Sequence, residues 1–92
     1  MENKLLTIVE MVTGASLNAN NKKKENVEAR MIYSYILRHS FGASLASIGT
    51  SISKDHTTIL HYLKTMEKHF LSENEVVKKY IKCKELLNLS QK

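Results

Sequence analysis

The sequence predicts an all-α domain of about five helices containing a helix-turn-helix. There is no proline in the 92 residues, glycine occurs 3 times and aromatics make up 7%, a composition that builds long helices more readily than many short strands bounded by turns. Apolar residues recur at steps of three and four in successive segments, as in helices with one buried face. A hydrophobic fraction of 42% over 92 residues sustains one modest core and not two, so residues 1–92 form a single domain.

Leu5, Ile8, Val9 and Val12 fall on one face of an N-terminal helix over residues 3–13, within a segment 1–13, which Gly14 stops. Residues 14–25 are polar, anchored by Leu17 alone and ending in Lys22, Lys23 and Lys24, and form an exposed basic loop. Residues 26–71 form the core. Its first helix spans residues 26–40, with Val27, Met31 and Tyr35 on one stripe and Ile32 and Ile36 beside it, a breadth that marks a central helix. Ser44 caps a third helix of about two turns. Asp55 caps the fourth, which carries Ile59, Leu63, Met66 and Phe70 as its inward stripe. Residues 72–92 hold the fifth helix, opened by a capping box at Ser72-Glu73-Asn74-Glu75 and seamed by Val76, Tyr80, Cys83 and Leu87.

The third and fourth helices, joined by a short turn at Ser53-Lys54-Asp55, have the layout of a helix-turn-helix, in which the first residues of the second helix reach base edges. The buried stripe leaves His56, Thr57, His61 and Lys64 to point elsewhere. An Asp accepts a hydrogen bond from a cytosine amino group and a Thr methyl packs on a thymine methyl, so Asp55 and Thr57 suit the major groove. Lys54, Thr58, His61 and Lys64 surround them as phosphate contacts. Ser44 is placed with the backbone set, and Arg30 and Arg38 read as phosphate contacts or surface ion pairs.

These residues carry a family resemblance. Residues 44–67, SLASIGTSISKDHTTILHYLKTME, resemble the C-terminal DNA-binding domain of the bacterial replication initiator DnaA, whose signature is SLxxIG, a short turn, then RDHTTVxHA. Residues 28–39, EARMIYSYILRH, are similar to that family's ARQIAMYLLRE helix, at a spacing that needs no gap. The resemblance implies a Trp-repressor-like helix-turn-helix in which Asp55, His56 and Thr57 read bases and Thr58 and His61 hold the backbone, with Lys54 in place of the family's arginine. It also implies that Lys22, Lys23 and Lys24 lie in the loop that reaches the adjacent minor groove. Several positions depart from the pattern: Glu28 stands where members carry a basic or neutral residue, Ala46 replaces a frequent proline and Tyr62 a small residue. The turn is one residue shorter than in common initiators and has Ser53 where glycine is usual.

Lys and Arg total 14 against 9 Asp and Glu, a formal charge of +5 that favours an anionic partner without naming it. One cysteine, Cys83, excludes an intramolecular disulfide and a multi-cysteine zinc site, and His56 and His61 lack the spacing of a helical metal pair, so no metal is expected. No GxxxxGK[ST] loop occurs, so neither nucleotide nor cofactor is expected, and no nucleophile or oxyanion context supports an enzyme. The first fourteen residues hold only a short apolar stretch broken by Glu10, so a membrane span or signal peptide is not expected. The expected setting is cytoplasmic and nucleoid-associated, with double-stranded DNA as partner. Oligomeric state is open, a monomer on DNA being compatible. The functional reading is sequence-specific duplex binding that regulates replication initiation or transcription. The rival is a basic interaction module for an acidic protein or the initiator itself.

Overall fold

The computed structural model describes residues 2–15, 17, 23–72 and 74–87. Five helices follow in order: α1 (Glu2–Thr13), α2 (Lys24–Phe41), α3 (Leu45–Ser51), α4 (His56–Phe70) and α5 (Glu75–Leu86). Leu5 and Val9 of α1 are fully buried, and the helix ends as expected where Gly14 takes φ +72°, a conformation that costs a glycine little. The Glu10 carboxylate then accepts the Leu17 N–H at 2.8 Å. This reversal delivers Leu17, 1% exposed, into the core, so the loop has the single apolar anchor that its sequence offers.

α2 is the central helix and packs on all four of the others. It starts at Lys24, so Lys24 and Glu25 belong to its first turn and not to the preceding loop. Being wrapped on several sides, it buries more than one stripe: Ala29, Ile32, Tyr33 and Ile36 are almost inaccessible, while Val27 and Tyr35, expected on the inner line, are half-buried. Gly42, at φ 69°, ends it with its N–H on the Leu37 carbonyl. The Tyr33 hydroxyl donates to Ser51 Oγ at 3.2 Å, which in turn donates to the Ile48 carbonyl at 2.7 Å, tying α2 to α3.

The cap of α5 differs from the expected box. α4 runs to Phe70, so Ser72 still belongs to its closing turn and donates to the His69 carbonyl at 3.2 Å. Asn74 is the cap, accepting the Val76 N–H at 3.1 Å. Val76, Cys83 and Leu87 form the buried seam of α5, and Tyr80 instead joins an aromatic cluster, edge-on to Phe70 at 5.1 Å and to Tyr35 at 5.6 Å. Among the described residues no helix is long and apolar enough to cross a membrane, and no group of His, Cys, Asp or Glu could hold a metal ion.

Candidate nucleic-acid interface

The turn between α3 and α4 is closed by backbone contact. Ser44 caps α3 by accepting the Ser47 N–H at 3.1 Å, and Ile48, Ile52 and Ile59 seal the two helices together. The Lys54 N–H donates to the Gly49 carbonyl at 2.8 Å. So close do the chains pass that a Cβ on Gly49 would come within 2.3 Å of the Lys54 carbonyl oxygen. Ser53, between them, is held at φ 59°, the one non-glycine residue at positive φ among the described residues.

Asp55 caps α4: its Oδ1 accepts the Thr58 N–H at 2.8 Å. That bond, more than any other influence, holds the carboxyl below its ordinary range, and the neighbouring His56 adds to the effect. A carboxylate at the start of a helix also meets the positive end of the helix dipole. Beyond the cap the helix has two faces. Ile59, Tyr62, Leu63 and Met66 are buried, whereas His56, Thr57, Leu60, His61 and Lys64 are exposed. Leu60 was not singled out in the sequence. It sits four residues after His56 and three after Thr57, outside the Ile59–Leu63–Met66 stripe, and that spacing was the available signal.

Beside this face the structure gathers residues from two helices. Arg30 of α2 lies in a cleft of about 400 Å³ with Lys54, Thr58, His61 and Tyr62. Arg30 is not a surface residue: it is 2% exposed, because α2 is covered on the side where α4 crosses it. Burial at that level fits neither a surface ion pair nor an open phosphate contact, the two readings its sequence position offers. A guanidinium presents a fork of donors that matches phosphate oxygens. The cleft thus holds four of the residues assigned to the backbone from sequence: Arg30, Lys54, Thr58 and His61. Lys64 is exposed further along α4, and Ser44 stands apart at the start of α3.

Lys23 caps α2 and Lys24 lies in its first turn, both exposed; Lys22 lies outside the described residues. Lys24 lines a second, mostly apolar cleft of about 380 Å³ together with His61 and Tyr62, so the basic run borders the same part of α4. Glu28, next to it, is largely buried and its carboxylate accepts from Lys79 Nζ at 2.8 Å. The negative charge that departs from the family pattern is therefore met from α5.

A glycine-closed turn between a short helix and a capped one with a polar outer face makes this a helix-turn-helix protein. The chain belongs to the family described as bacterial dnaA protein helix-turn-helix, whose model matches residues 10–66. It is 36% identical over 69 residues to the chromosomal replication initiator protein DnaA of Chlorobaculum tepidum, covering 74% of this chain and 14% of that protein. The initiator of Kosmotoga olearia is 30% identical over 90 residues, covering 95% and 20%, and DnaA 2 of Chlamydia pneumoniae is 36% identical over 69 residues, covering 74% and 15%. The chain thus spans a small part of the length of these relatives. No solved structure matches it.

Proposed function

We propose that this chain binds duplex DNA at a defined short site, with α4 lying in the major groove. The observation that carries the reading is the cleft in which Arg30 of α2 meets Lys54, Thr58 and His61 beside the exposed start of α4. A groove-entering helix needs cationic and hydroxyl groups along its flank to hold the phosphates, while its first turn faces the bases. Asp55, His56 and Thr57 are the base readers. Lys54, Thr58 and His61 hold the strand, with Arg30 buried behind them, Lys64 and Ser44 are outlying contacts, and Lys22, Lys23 and Lys24 reach the neighbouring minor groove. The function is binding and not catalysis, and calls for no nucleotide or metal.

The relatives are named as chromosomal replication initiators, which supports a role at initiator-type sites on the nucleoid, in the cytoplasm. There the domain modulates replication initiation or transcription. The test is selection of random duplexes by the purified protein, followed by titration of His56→Ala and Thr57→Ala on the selected and on a scrambled site. Each variant is expected to lose about 1 to 3 kcal/mol on the selected site, the scale of one base contact, and little on the scrambled one. Equal loss on both duplexes, or none on either, moves the reading to the interaction module.

A further inference from the structure

The cleft of about 380 Å³ that Lys24 borders lies between α2 and α4. Its walls are mostly apolar and its two ends differ. Met31, buried, and Val27, half-buried, come from α2, and the buried Tyr62 comes from α4. Tyr62 stands where the family pattern has a small residue, so the aromatic wall belongs to this chain. At one end Lys24 and His69 also line the next cleft, toward the start of α5; at the other, His61 and Tyr62 also line the Arg30 cleft. We infer that this cleft binds a small aromatic carboxylate, and that the bound ligand weakens the hold on duplex DNA. The competition with DNA rests on the reading of α4 as the groove-entering helix.

Each part of that ligand answers to a part of the cleft. Rings suit walls of valine, methionine and tyrosine, because a thioether and an aromatic ring both attract a flat apolar partner. A volume of about 380 Å³ is at the small end of the range of about 300–1,000 Å³ common for ligand sites, room for one or two rings. The carboxylate belongs at the Lys24 end. Lys24 is exposed and positively charged, and His69 adds a fixed donor. Asn74 Oδ1 accepts the Val76 N–H, which leaves the amide Nδ2 to donate to His69 Nδ1. A neutral imidazole that accepts at Nδ1 carries its proton on Nε2. Glu28 also lines the cleft, but its carboxylate accepts from Lys79 Nζ at 2.8 Å, so it opposes an anion less than an open carboxylate would. The competition follows from shared groups. Lys24 and His61 are both proposed DNA contacts, and an anion on the first with a ring beside the second takes them from phosphate.

The test uses 2-naphthoate as the probe, with 2-naphthamide, which lacks the charge, and acetate, which lacks the rings. Titrated into the isotope-labelled full chain without DNA, 2-naphthoate is expected to shift the NMR signals of Val27, Met31, Tyr62 and Thr65, which also lines the cleft. 2-Naphthamide should bind about fivefold more weakly, the scale of one exposed ion pair, and acetate should leave those signals in place. Lys24→Gln should bind the two naphthyl compounds alike, and a preference for the charged one that survives this change overturns the carboxylate end. Thr65→Phe, a larger side chain at a half-buried position, fills the cleft and should abolish binding. On the selected duplex, saturating 2-naphthoate should weaken wild-type binding about fivefold, and the duplex should weaken 2-naphthoate by the same factor. Thr65→Phe should bind the duplex as the wild type does and ignore the probe. No shift at the named residues overturns the site, and so do shifts that acetate reproduces or that survive Thr65→Phe. Shifts with duplex affinity unmoved overturn the competition and leave the site standing. Failure of the wild type to enrich any duplex overturns the groove reading and the competition with it, while the titration of the free chain still decides the site.

Discussion

Gly49 and Ser53 bracket the turn and answer to different physics. At Gly49 the constraint is contact: a Cβ would meet the Lys54 carbonyl oxygen at 2.3 Å, and a backbone oxygen cannot swing aside as a flexible side-chain end can. Gly49→Ala is expected to cost about 2 to 4 kcal/mol in urea unfolding, the scale of a forced overlap in a packed site. At Ser53 the constraint is the backbone angle, φ 59°, which costs an L-residue about 1 to 2 kcal/mol while a glycine there loses about 0.5 to 1 in chain entropy. Ser53→Gly should therefore stabilise by about 0.5 to 1 kcal/mol, and an unchanged unfolding midpoint would show that the turn relaxes around serine. Asp55 caps α4, and base reading is the second role proposed for the same carboxylate. Its folded pKa is lowered, chiefly by the Thr58 N–H, so the cap contributes above the unfolded value of 3.8 and is lost as pH falls through the folded one. Asp55→Asn retains a good cap but replaces a cytosine partner by an adenine partner. Its melting temperature should vary less with pH in the acid range than the wild type's, and its selected site should change at one base. A variant that keeps the wild-type site would reduce Asp55 to a cap.

Helices whose neighbours cover one side were legible from periodicity, and helices covered on several sides were less so. α1 and α4 show it: Leu5 with Val9, and Ile59 with Leu63 and Met66, are buried as their spacing required. On α2 the spacing pointed to Val27 and Tyr35, yet Ala29 and Tyr33 go deeper, because burial there is set by which helices cross and not by the helix's own pattern. The same crossing hides Arg30, and no local signal in the sequence reports it. The start of α5 was ambiguous for another reason, since Ser72 and Asn74 are both good caps and only the length of α4 decides between them. The family resemblance located the turn between α3 and α4, while the exposure of Leu60 had no polar chemistry to draw notice. α5 also carries a test of its packing. Cys83 is 0% exposed, and burial pushes its thiol from 9.0 up to about 11. Above the unfolded value the unfolded chain binds fewer protons than the folded one, so stability is full below about pH 9 and declines as pH rises toward the folded value. Tyr80 and Tyr35, both raised from 10.0 by burial, act in the same direction. Cys83→Ala, weaker at neutral pH because the buried sulfur no longer fills its place, should show a shallower alkaline decline. A decline as steep as the wild type's would assign the effect to the tyrosines.

At the scale of the whole molecule the question is where a formal charge of +5 acts. Surface lysines spread evenly would give weak, diffuse attraction to any polyanion. Here the basic run ends at the first turn of α2, six residues before Arg30 on the same helix, and Lys24 shares a cleft with His61 and Tyr62, which also line the Arg30 cleft. The neighbouring Glu28 carboxylate is engaged by Lys79, so it opposes the approach of phosphate less than an open carboxylate would. Lys24 and Lys54 thus border the proposed reading helix, and the contribution of such lysines should be counterion release, which falls with salt and is blind to sequence. Changing Lys22, Lys23 and Lys24 together to Ala should weaken binding to selected and scrambled duplexes by a similar factor. The slope of log affinity against log salt should flatten by about one for each phosphate that is no longer neutralised. The preference for the selected site should survive, because the first turn of α4 is untouched. Circular dichroism should be unchanged, since Lys23 and Lys24 are exposed and the cap of α2 uses no side-chain hydrogen bond. An unchanged affinity and salt slope would mean that the run is a solvated loop, and the minor-groove contact would be withdrawn. Weakening confined to the selected site would mean instead that these lysines read sequence.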